Sequence, residues 1–289
     1  MRKFVINIII YLCSITLLLS CSLLAIVIIN EQKQIKYNHK NSIFLWGDSQ
    51  AHQAINIEEL SKSTKREIIS SAEHGNGVYD LMTFSYHVPR ESQVILQISK
   101  PAQIRRLSRD RNASGLNWSS IKILSDNNYK KSDIFRIIIR NLFQNTRSNN
   151  YSGLHPYHEE IKFDSLEFNL ISNTYSRVPD YIFDKQAIII TAIDNLLQKN
   201  CEILMIELPY HPILKEIETN SVLGIITDSF KETLCERFHI NSIDTVKILS
   251  EKNIFYDLTH FNKIGNKIIT DYLSMKIRTL ESTDFIVFE

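Results

Sequence analysis

Short apolar runs alternate with longer stretches of helical periodicity along most of the chain after residue 42. Five runs have the length of strands: 43–46, 67–71, 93–98, 202–208 and 238–243. Nearly continuous apolar strands are typical of a parallel sheet that is covered on both faces. Three stretches between them have the pattern of helices: 78–86, 184–199 and 221–238. The alternation predicts a three-layer α/β/α domain built on a mostly parallel five-stranded sheet.

The alternation is interrupted between residues 101 and 179, in a stretch rich in Asn, Ser and Arg. This stretch contains one strongly apolar helix candidate, residues 133–143 (DIFRIIIRNLF). It is too long for a simple connection between two elements. We therefore expect an insertion at about 102–178 that lies beside the edge of the sheet and forms a lid or a substrate wall.

The first thirty residues differ from the rest of the chain. Met1-Arg2-Lys3 precedes an apolar run, residues 4–29, that contains no charged side chain. About 20 apolar residues suffice for a helix to cross a bilayer, whereas the apolar core of a cleavable signal usually has about 7–15. We therefore predict an uncleaved signal anchor in residues 1–30, a polar tether in residues 31–42, and a globular domain in residues 43–289 that lies outside the cytoplasm.

A second mode of membrane attachment stays open. Leu18-Leu19-Ser20-Cys21 is similar to the cleavage box of a bacterial lipoprotein, in which Cys21 would carry the lipid. The apolar run continues from residue 22 to residue 29, whereas a mature lipoprotein normally becomes polar after its cysteine. Both modes predict that the domain is tethered to a membrane.

Composition limits the classes of partner. The formal net charge of +1 gives no electrostatic reason to expect a nucleic-acid partner. The cysteines do not have the spacing of a metal site, and we expect neither a metal nor a cofactor. Cys201 and Cys235 are the two cysteines beyond the apolar run. They could form a disulfide outside the cytoplasm, or they could be two small buried apolar residues.

The first predicted strand ends in Gly47-Asp48-Ser49, and a helix-compatible stretch follows. Ligands of open α/β sheets bind beyond the carboxyl ends of the strands, and Ser49 stands at such a position. A serine hydroxyl becomes a good nucleophile only when a base removes its proton, and the base needs a third group to orient it. Taken alone, Ser49 could equally cap the helix that follows. We expect Asp48 to brace the turn.

A base and its orienting group stand together near the end of the chain. Asp257 and His260 are three residues apart, just before a predicted helix that begins at about Asn262. This spacing on a turn lets the carboxylate reach one imidazole nitrogen and leaves the other nitrogen to face a hydroxyl. Ser49, His260 and Asp257 are therefore candidates for nucleophile, general base and orienting acid.

The two motifs together resemble the signature of the SGNH/GDSL hydrolase superfamily, in which Gly-Asp-Ser stands near the start of the domain and Asp-x-x-His near its end. Here they are residues 47–49 and residues 257–260. The resemblance implies the flavodoxin-like SGNH fold. It also implies that Ser49 is the nucleophile, that His260 is the base and that Asp257 is its partner.

The oxyanion hole is where the chain departs from the family pattern. The resemblance implies backbone donors from Ser49 and from a glycine after the second strand, which is Gly75, with Gly77 as the alternative. Where the family usually has Gly-x-Asn-Asp after the third strand, this chain has Ser99-Lys100-Pro101. The usual asparagine is absent. We therefore expect a replacement donor from the insertion or from Ser99, or else modest activity.

The resemblance implies acyl transfer from an ester to water or to a sugar hydroxyl. Membrane-tethered relatives outside the cytoplasm often act on acyl groups of envelope polysaccharides, so the expected substrate is an acylated, in particular an acetylated, carbohydrate or another envelope ester. The alternative is a non-catalytic module that binds an envelope glycan or a protein partner, and the missing asparagine favours it.

Four further histidines are weaker candidates for the site. His52 stands one helical turn after Ser49, and His211 follows the fourth predicted strand, so either could line the cleft. A solvated helix face and an ordinary loop are the competing interpretations. His155 and His158 have a ligand-like spacing but lack the carboxylates or cysteines that would complete a metal site.

Overall fold

The structure is a computed structural model that describes residues 2–34, 42–73, 76–100, 175–244 and 252–284, together with the single positions 169, 172 and 173. Most of the insertion predicted at 102–178, including the helix candidate at 133–143, therefore lies outside the described residues. His155 and His158 lie outside them as well.

The amino-terminal helix α1 extends from Arg2 to Gln34. Its segment Lys3–Ala25 has a mean hydropathy of 2.4, and none of that segment is buried by protein. By length and composition the helix is able to cross a membrane. The long apolar helix that the sequence predicts is thus present.

The remaining described residues form a sheet domain. In chain order its elements are β1 (Ile43–Trp46), α2 (Ser49–Ala54), α3 (Ile57–Thr64), β2 (Ile68–Ser70), α4 (Val78–His87), β3 (Gln93–Gln97), α5 (Ile182–Gln198), β4 (Glu202–Glu207), α6 (Pro212–Thr219), α7 (Val222–Phe238), β5 (Asn241–Asp244), a 3₁₀ helix (Lys252–Ile254) and α8 (Lys263–Asp284).

The five strands form one parallel sheet in the order β2-β1-β3-β4-β5. The prediction of a mostly parallel five-stranded sheet is confirmed. In this order the chain first adds β2 on one side of β1 and then places β3 on the other side. The carboxyl ends of β1 and β3 therefore flank the point where the strand order reverses, which is where doubly wound sheets bind ligands.

Helices cover both faces of the sheet. On one face Ile43 and Leu45 of β1 join a buried cluster with residues of α2, α3 and α8, and α8 packs against α2 and α3. Because side chains alternate along a strand, Phe44 and Trp46 point to the opposite face, where they are buried as well. The helices α4 and α5 pack against each other. The three-layer prediction is confirmed.

The predicted start of the last strand was wrong. The apolar pattern predicts a strand at 238–243, but α7 continues to Phe238, and β5 occupies Asn241–Asp244. His239 ends the helix in a left-handed conformation, with φ of 52°. Phe238 is the last residue of α7. The prediction failed because a single apolar residue fits the end of a helical pattern as well as the start of a strand.

The two cysteines of the sheet domain are not bonded to each other. Cys201 is buried, and its thiol donates to the carbonyl oxygen of Pro89 at 3.5 Å. Burial raises the pKa of this thiol. The Cys235 sulfur lies 4.0 Å from the sulfur of Met205. The disulfide alternative is wrong, and the alternative of two small buried residues holds for Cys201, whereas Cys235 is only partly buried.

Candidate active site

Ser49 is the first residue of α2, and the residue before it is the one that caps this helix. One carboxylate oxygen of Asp48 accepts the N–H of Gln50 at 2.9 Å, which is the hydrogen bond of an N-cap. The interpretation of Ser49 as the cap is therefore wrong. Asp48 braces the turn as expected, and the Ser49 side chain makes its hydrogen bond elsewhere.

The turn between β1 and α2 packs against the end of β3 and requires a glycine. A Cβ atom on Gly47 would lie 2.4 Å from the Cβ of Ala51 and 3.0 Å from the side-chain oxygen of Gln97. The same oxygen accepts the N–H of Asp48 at 3.1 Å, and the Gln97 amide nitrogen donates to the Gln50 side chain at 3.0 Å. The start of α2 can approach β3 this closely because residue 47 has no side chain.

The structure brings Ser49, His260 and Asp257 together in one chain of hydrogen bonds. The Ser49 hydroxyl oxygen lies 2.9 Å from Nε2 of His260, and Nδ1 of His260 lies 2.7 Å from Oδ2 of Asp257. An ionised carboxylate can only accept, so we place the ring proton on Nδ1. Nε2 is then the acceptor for the hydroxyl proton of Ser49, which is the geometry that general-base activation requires.

The loop that carries His260 is closed at its base by two buried aromatic residues. Phe255 and Phe261 form an isolated antiparallel bridge, and their ring centroids lie 4.9 Å apart. Within the loop, the N–H of Tyr256 donates to the carbonyl oxygen of His260 at 2.8 Å. The aromatic pair therefore fixes both ends of the segment that presents Asp257 and His260.

The carboxylate of Asp257 is held ionised by its neighbours. Its Oδ1 atom accepts the N–H groups of Thr259 and His260, each at 2.7 Å. Burial raises the pKa of Asp257, but the hydrogen bond and the charge of His260, together with these two backbone N–H groups, outweigh that effect and lower the pKa to about 2. An acid that orients an imidazole and stabilises its protonated form must stay ionised in this way.

The expected backbone donors of the oxyanion hole are those of Ser49 and Gly75, with Gly77 as the alternative to Gly75. Gly75 lies outside the described residues. The N–H of its alternative, Gly77, donates to a carboxylate oxygen of Asp80 at 3.1 Å, so this amide is already occupied at the start of α4. The N–H of Ser49 belongs to the first turn of α2, where amide groups have no partner within the helix.

Ser99 contacts the turn of residues 47–49, which carries the candidate nucleophile Ser49 and is called the nucleophile turn below. Its hydroxyl donates to Oδ2 of Asp48. A serine hydroxyl carries one proton, so Ser99 cannot make this bond and donate to an oxyanion at the same time. This contact argues against Ser99 as the replacement for the missing asparagine.

Asn76 is a residue of the site that the sequence did not single out. It is 2% exposed, and its side-chain NH₂ group donates to the carbonyl oxygens of Gly47 at 2.8 Å and Ser71 at 2.7 Å. Both amide protons are used in these two bonds. Asn76 thus ties the nucleophile turn to the segment that follows β2.

The two described histidines near the site have structural contacts. His52 is exposed, and its Nδ1 lies 2.9 Å from the carbonyl oxygen of Ala72. His211 is buried and caps α6, where its Nδ1 accepts the N–H of Ile213 at 3.3 Å. The backbone N–H of His211 donates to the carbonyl oxygen of Leu258 at 3.0 Å. His211 therefore ties the end of β4 to the loop that carries His260.

The sheet order, with Ser49, His260 and Asp257 together at the carboxyl edge of the sheet, is the arrangement that the resemblance to the SGNH/GDSL hydrolases implies. The predicted fold is confirmed.

Comparisons with known proteins were made by sequence and by structure. A scan against protein-family models and a search of curated proteins find no match. Among solved structures, the chain is similar to a GDSL-like lipase from Bacteroides thetaiotaomicron, with a TM-score of 0.45 and 10% identity over 86% of this chain and 96% of that one. It is also similar to a lipase/acylhydrolase from Enterococcus faecalis, with a TM-score of 0.42 and 10% identity over 83% of this chain and 96% of that one.

We expect the contribution of Asp257 to the stability of the folded protein to be lost only in strong acid. Its pKa of about 2 lies below the ordinary value of 3.8, so its ionisation stabilises the fold above about pH 4, and this contribution disappears as the pH falls through about 2. The effect should be small, because the side chain is 41% exposed.

The measurement is thermal unfolding of the wild type and of Asp257→Asn at about pH 5, about pH 4 and about pH 2. The difference in midpoint should persist to about pH 4 and vanish towards about pH 2. Asp184→Asn, an exposed position on α5, controls for the loss of one carboxylate. A difference already absent at about pH 5 would contradict the lowered pKa.

Proposed function

We propose that this protein is a serine-dependent acyl-ester hydrolase or O-acyltransferase of the SGNH/GDSL type. The observation that supports this most strongly is the hydrogen-bonded chain from Ser49 through His260 to Asp257, with distances of 2.9 Å and 2.7 Å. It supplies a nucleophile, a general base and an orienting acid in contact with one another.

In the proposed reaction, Nε2 of His260 takes the hydroxyl proton as the Ser49 oxygen attacks the ester carbonyl carbon. Asp257 stabilises the imidazolium that results. His260 then gives its proton to the leaving alkoxide oxygen while the ester C–O bond breaks, which leaves an acyl-serine. Water or a sugar hydroxyl next loses its proton to His260 and attacks the acyl carbon. The bond between that carbon and the Ser49 oxygen then breaks, His260 returns the proton to Ser49, and a carboxylic acid or a new sugar ester leaves.

The tetrahedral intermediates of this reaction carry a negative oxygen that needs donors. We propose that the backbone N–H of Ser49 supplies one, at the start of α2, and that the N–H of Gly75 supplies the other. Donors of this kind act most strongly when they are fixed before the reaction begins. Asn76 supports such fixation, since it holds the carbonyl of Gly47 next to the turn.

The proposed substrate is an acylated, in particular an acetylated, carbohydrate or another ester of the cell envelope. Two features favour a large substrate at a membrane surface. The helix α1 is long and apolar enough to cross a bilayer, and the His260 side chain is 24% exposed at the carboxyl edge of the sheet. The proposed division has an anchor in residues 1–30, a tether in residues 31–42 and a domain in residues 43–289 with an insertion at about 102–178.

A non-catalytic module that binds an envelope glycan or a protein partner is the second candidate function. The observation that favours it is the sequence after β3, where Ser99-Lys100-Pro101 stands in place of the expected segment with its asparagine. The Ser99 hydroxyl donates its one proton to Asp48. A chain that has lost one oxyanion donor has lost part of its catalytic machinery, while its fold and its cleft remain.

Covalent labelling separates the two candidates. We expect a fluorophosphonate probe to label the full-length protein in mild detergent at Ser49, because His260 activates that hydroxyl. Mass spectrometry of the labelled peptide identifies the site. Ser49→Ala should remain unlabelled, and Ser221→Ala, which removes the capping hydroxyl of α7, should label like the wild type. Absence of label on folded wild-type protein would favour the binding module.

The three residues should behave as one unit in turnover of an activated acetyl ester. Ser49→Ala or His260→Ala should each lower kcat by roughly 10⁴-fold or more, and the double variant should lose little beyond either single one. Asp257→Asn should be milder, because the base remains. Steady-state kinetics of the four variants check this. Losses that multiply in the double variant would mean that the two side chains act independently.

We propose that α1 is an uncleaved signal anchor and that the sheet domain lies outside the cytoplasm. The protein should fractionate with membranes and keep Met1, because the apolar helix is inserted rather than removed. Cys21→Ser should change neither its fractionation nor its amino terminus. Mass spectrometry that finds a mature chain beginning at Cys21 would replace the anchor with a lipoprotein.

A further inference from the structure

The segment directly after β3 contacts the nucleophile turn through Ser99. The two carboxylate oxygens of Asp48 have separate partners: Oδ1 accepts the N–H of Gln50, and Oδ2 accepts the Ser99 hydroxyl. Asp48 and Ser99 are 5% and 4% exposed, so this contact is screened from water. The carboxylate next to Ser49 is therefore held from two sides, by its own helix and by the neighbouring strand.

The next residue, Lys100, is fixed by a partly buried ionic cluster, in which the Lys100 and Asp228 side chains are 13% and 47% exposed. Its ammonium lies 2.9 Å from a carboxylate oxygen of Glu218 and 2.9 Å from one of Asp228. The Glu218 side chain is 2% exposed, and its other oxygen accepts the hydroxyl proton of Tyr175 at 2.7 Å. Removing one partner from a buried ion pair leaves the other charge uncompensated, so the pair strongly favours one position of Lys100.

The backbone at this point is held as well. The N–H of Lys100 donates to the hydroxyl oxygen of Tyr210 at 3.1 Å, and Tyr210 is buried. Side chain and backbone of Lys100 are thus both fixed, and Ser99 precedes it directly. The exit of β3 therefore connects the buried acid of α6, Glu218, to the carboxylate of Asp48 through two consecutive residues.

We propose that Ser99 is a positioning residue for the Ser49 nucleophile, and that the Lys100–Glu218 ion pair holds Ser99 in place. This inference rests on the proposed function. Ser99 acts through Asp48: with both carboxylate oxygens bonded, the turn that carries Ser49 cannot rotate away from His260. The site is sensitive to such rotation, because misplacement of a reacting group by about 1 Å can cost about 10²-fold in rate.

The first measurement is the rate of fluorophosphonate labelling at Ser49 in the full-length protein. Ser99→Ala should slow labelling about 10-fold, and should lower kcat for a small activated ester with KM nearly unchanged. The matched control is Ser85→Ala, which removes another fully buried serine hydroxyl, bonded to the carbonyl of Met82 at 2.7 Å in α4. It should lower the unfolding temperature without changing the labelling rate.

The second measurement tests the connection to Glu218. Glu218→Gln keeps the size of the side chain and an acceptor for Tyr175 but removes the buried one of the two charges that face Lys100, and Asp228 remains. It should slow labelling about 3-fold in the wild-type background and by less than about 2-fold in the Ser99→Ala background, since both changes act on one contact. A general loss of stability would slow labelling to the same extent in both backgrounds. A smaller effect of Glu218→Gln in the Ser99→Ala background therefore indicates that the two residues act through one contact.

The outcomes separate this inference from the function on which it rests. Wild-type protein that is not labelled overturns both. Labelled wild type with an unchanged rate in Ser99→Ala overturns only the positioning role. Equal effects of Glu218→Gln in both backgrounds overturn the link between Glu218 and Ser99. If Ser99→Ala does not fold, Glu218→Gln alone decides, and an unchanged labelling rate in that variant overturns the inference.

Discussion

The packing of α8 against α2 and α3 is the constraint on which the candidate site depends. Ser49 and His260 are 211 positions apart in the chain, and they meet only because α8 places the preceding loop over the carboxyl end of β1. Hydrogen bonds, in addition to apolar contacts, set the position of α8. The Asn266 amide donates to the carbonyl of Gln53 at 2.7 Å, and Thr270 accepts the N–H of Asn56 at 2.9 Å. A sliding of α8 along α2 would therefore break these hydrogen bonds as well as the contact between Ser49 and His260.

A second set of buried polar groups lies beneath the nucleophile turn. Asp48, Gln50, Gln97 and Ser99 are all buried and bond to one another, and Gln50 also donates to the carbonyl oxygen of Pro209 at 2.8 Å. Buried polar groups are costly when they lack partners, but a satisfied network favours a single arrangement. Apolar residues of similar size would fill this space without selecting one orientation of the turn. The network is thus suited to holding a reactive hydroxyl in one place.

Sequence patterns were sufficient for the presence of the five strands, though not for the start of the last one, and they singled out the three residues that the structure brings together, Ser49, Asp257 and His260. Both successes have a physical reason. Strands buried on both faces need continuous apolar runs, and a turn that presents a serine beside β3 needs a glycine such as Gly47. The contacts of Asn76, Ser99 and Lys100 could not be predicted in this way. Glu218, for example, is 118 positions away from Lys100. A lysine three residues after a buried strand was the one available sign of an acid facing it, because buried lysines are rarely unpaired.

The replacement of the usual asparagine after β3 changes what this edge of the sheet does in the proposed enzyme. Ser99 and Lys100 are bonded to the protein itself, so stabilisation of the oxyanion is left to backbone amides and to whatever the insertion contributes. Loss of one oxyanion donor typically costs about 10²–10³-fold in kcat, which is large but far smaller than the whole rate enhancement of an enzyme. If the domain is tethered beside an immobile polymer, as proposed above, it also meets its substrate at a high effective concentration. Slow chemistry at a rigid, well-positioned serine is therefore compatible with the role proposed for this protein.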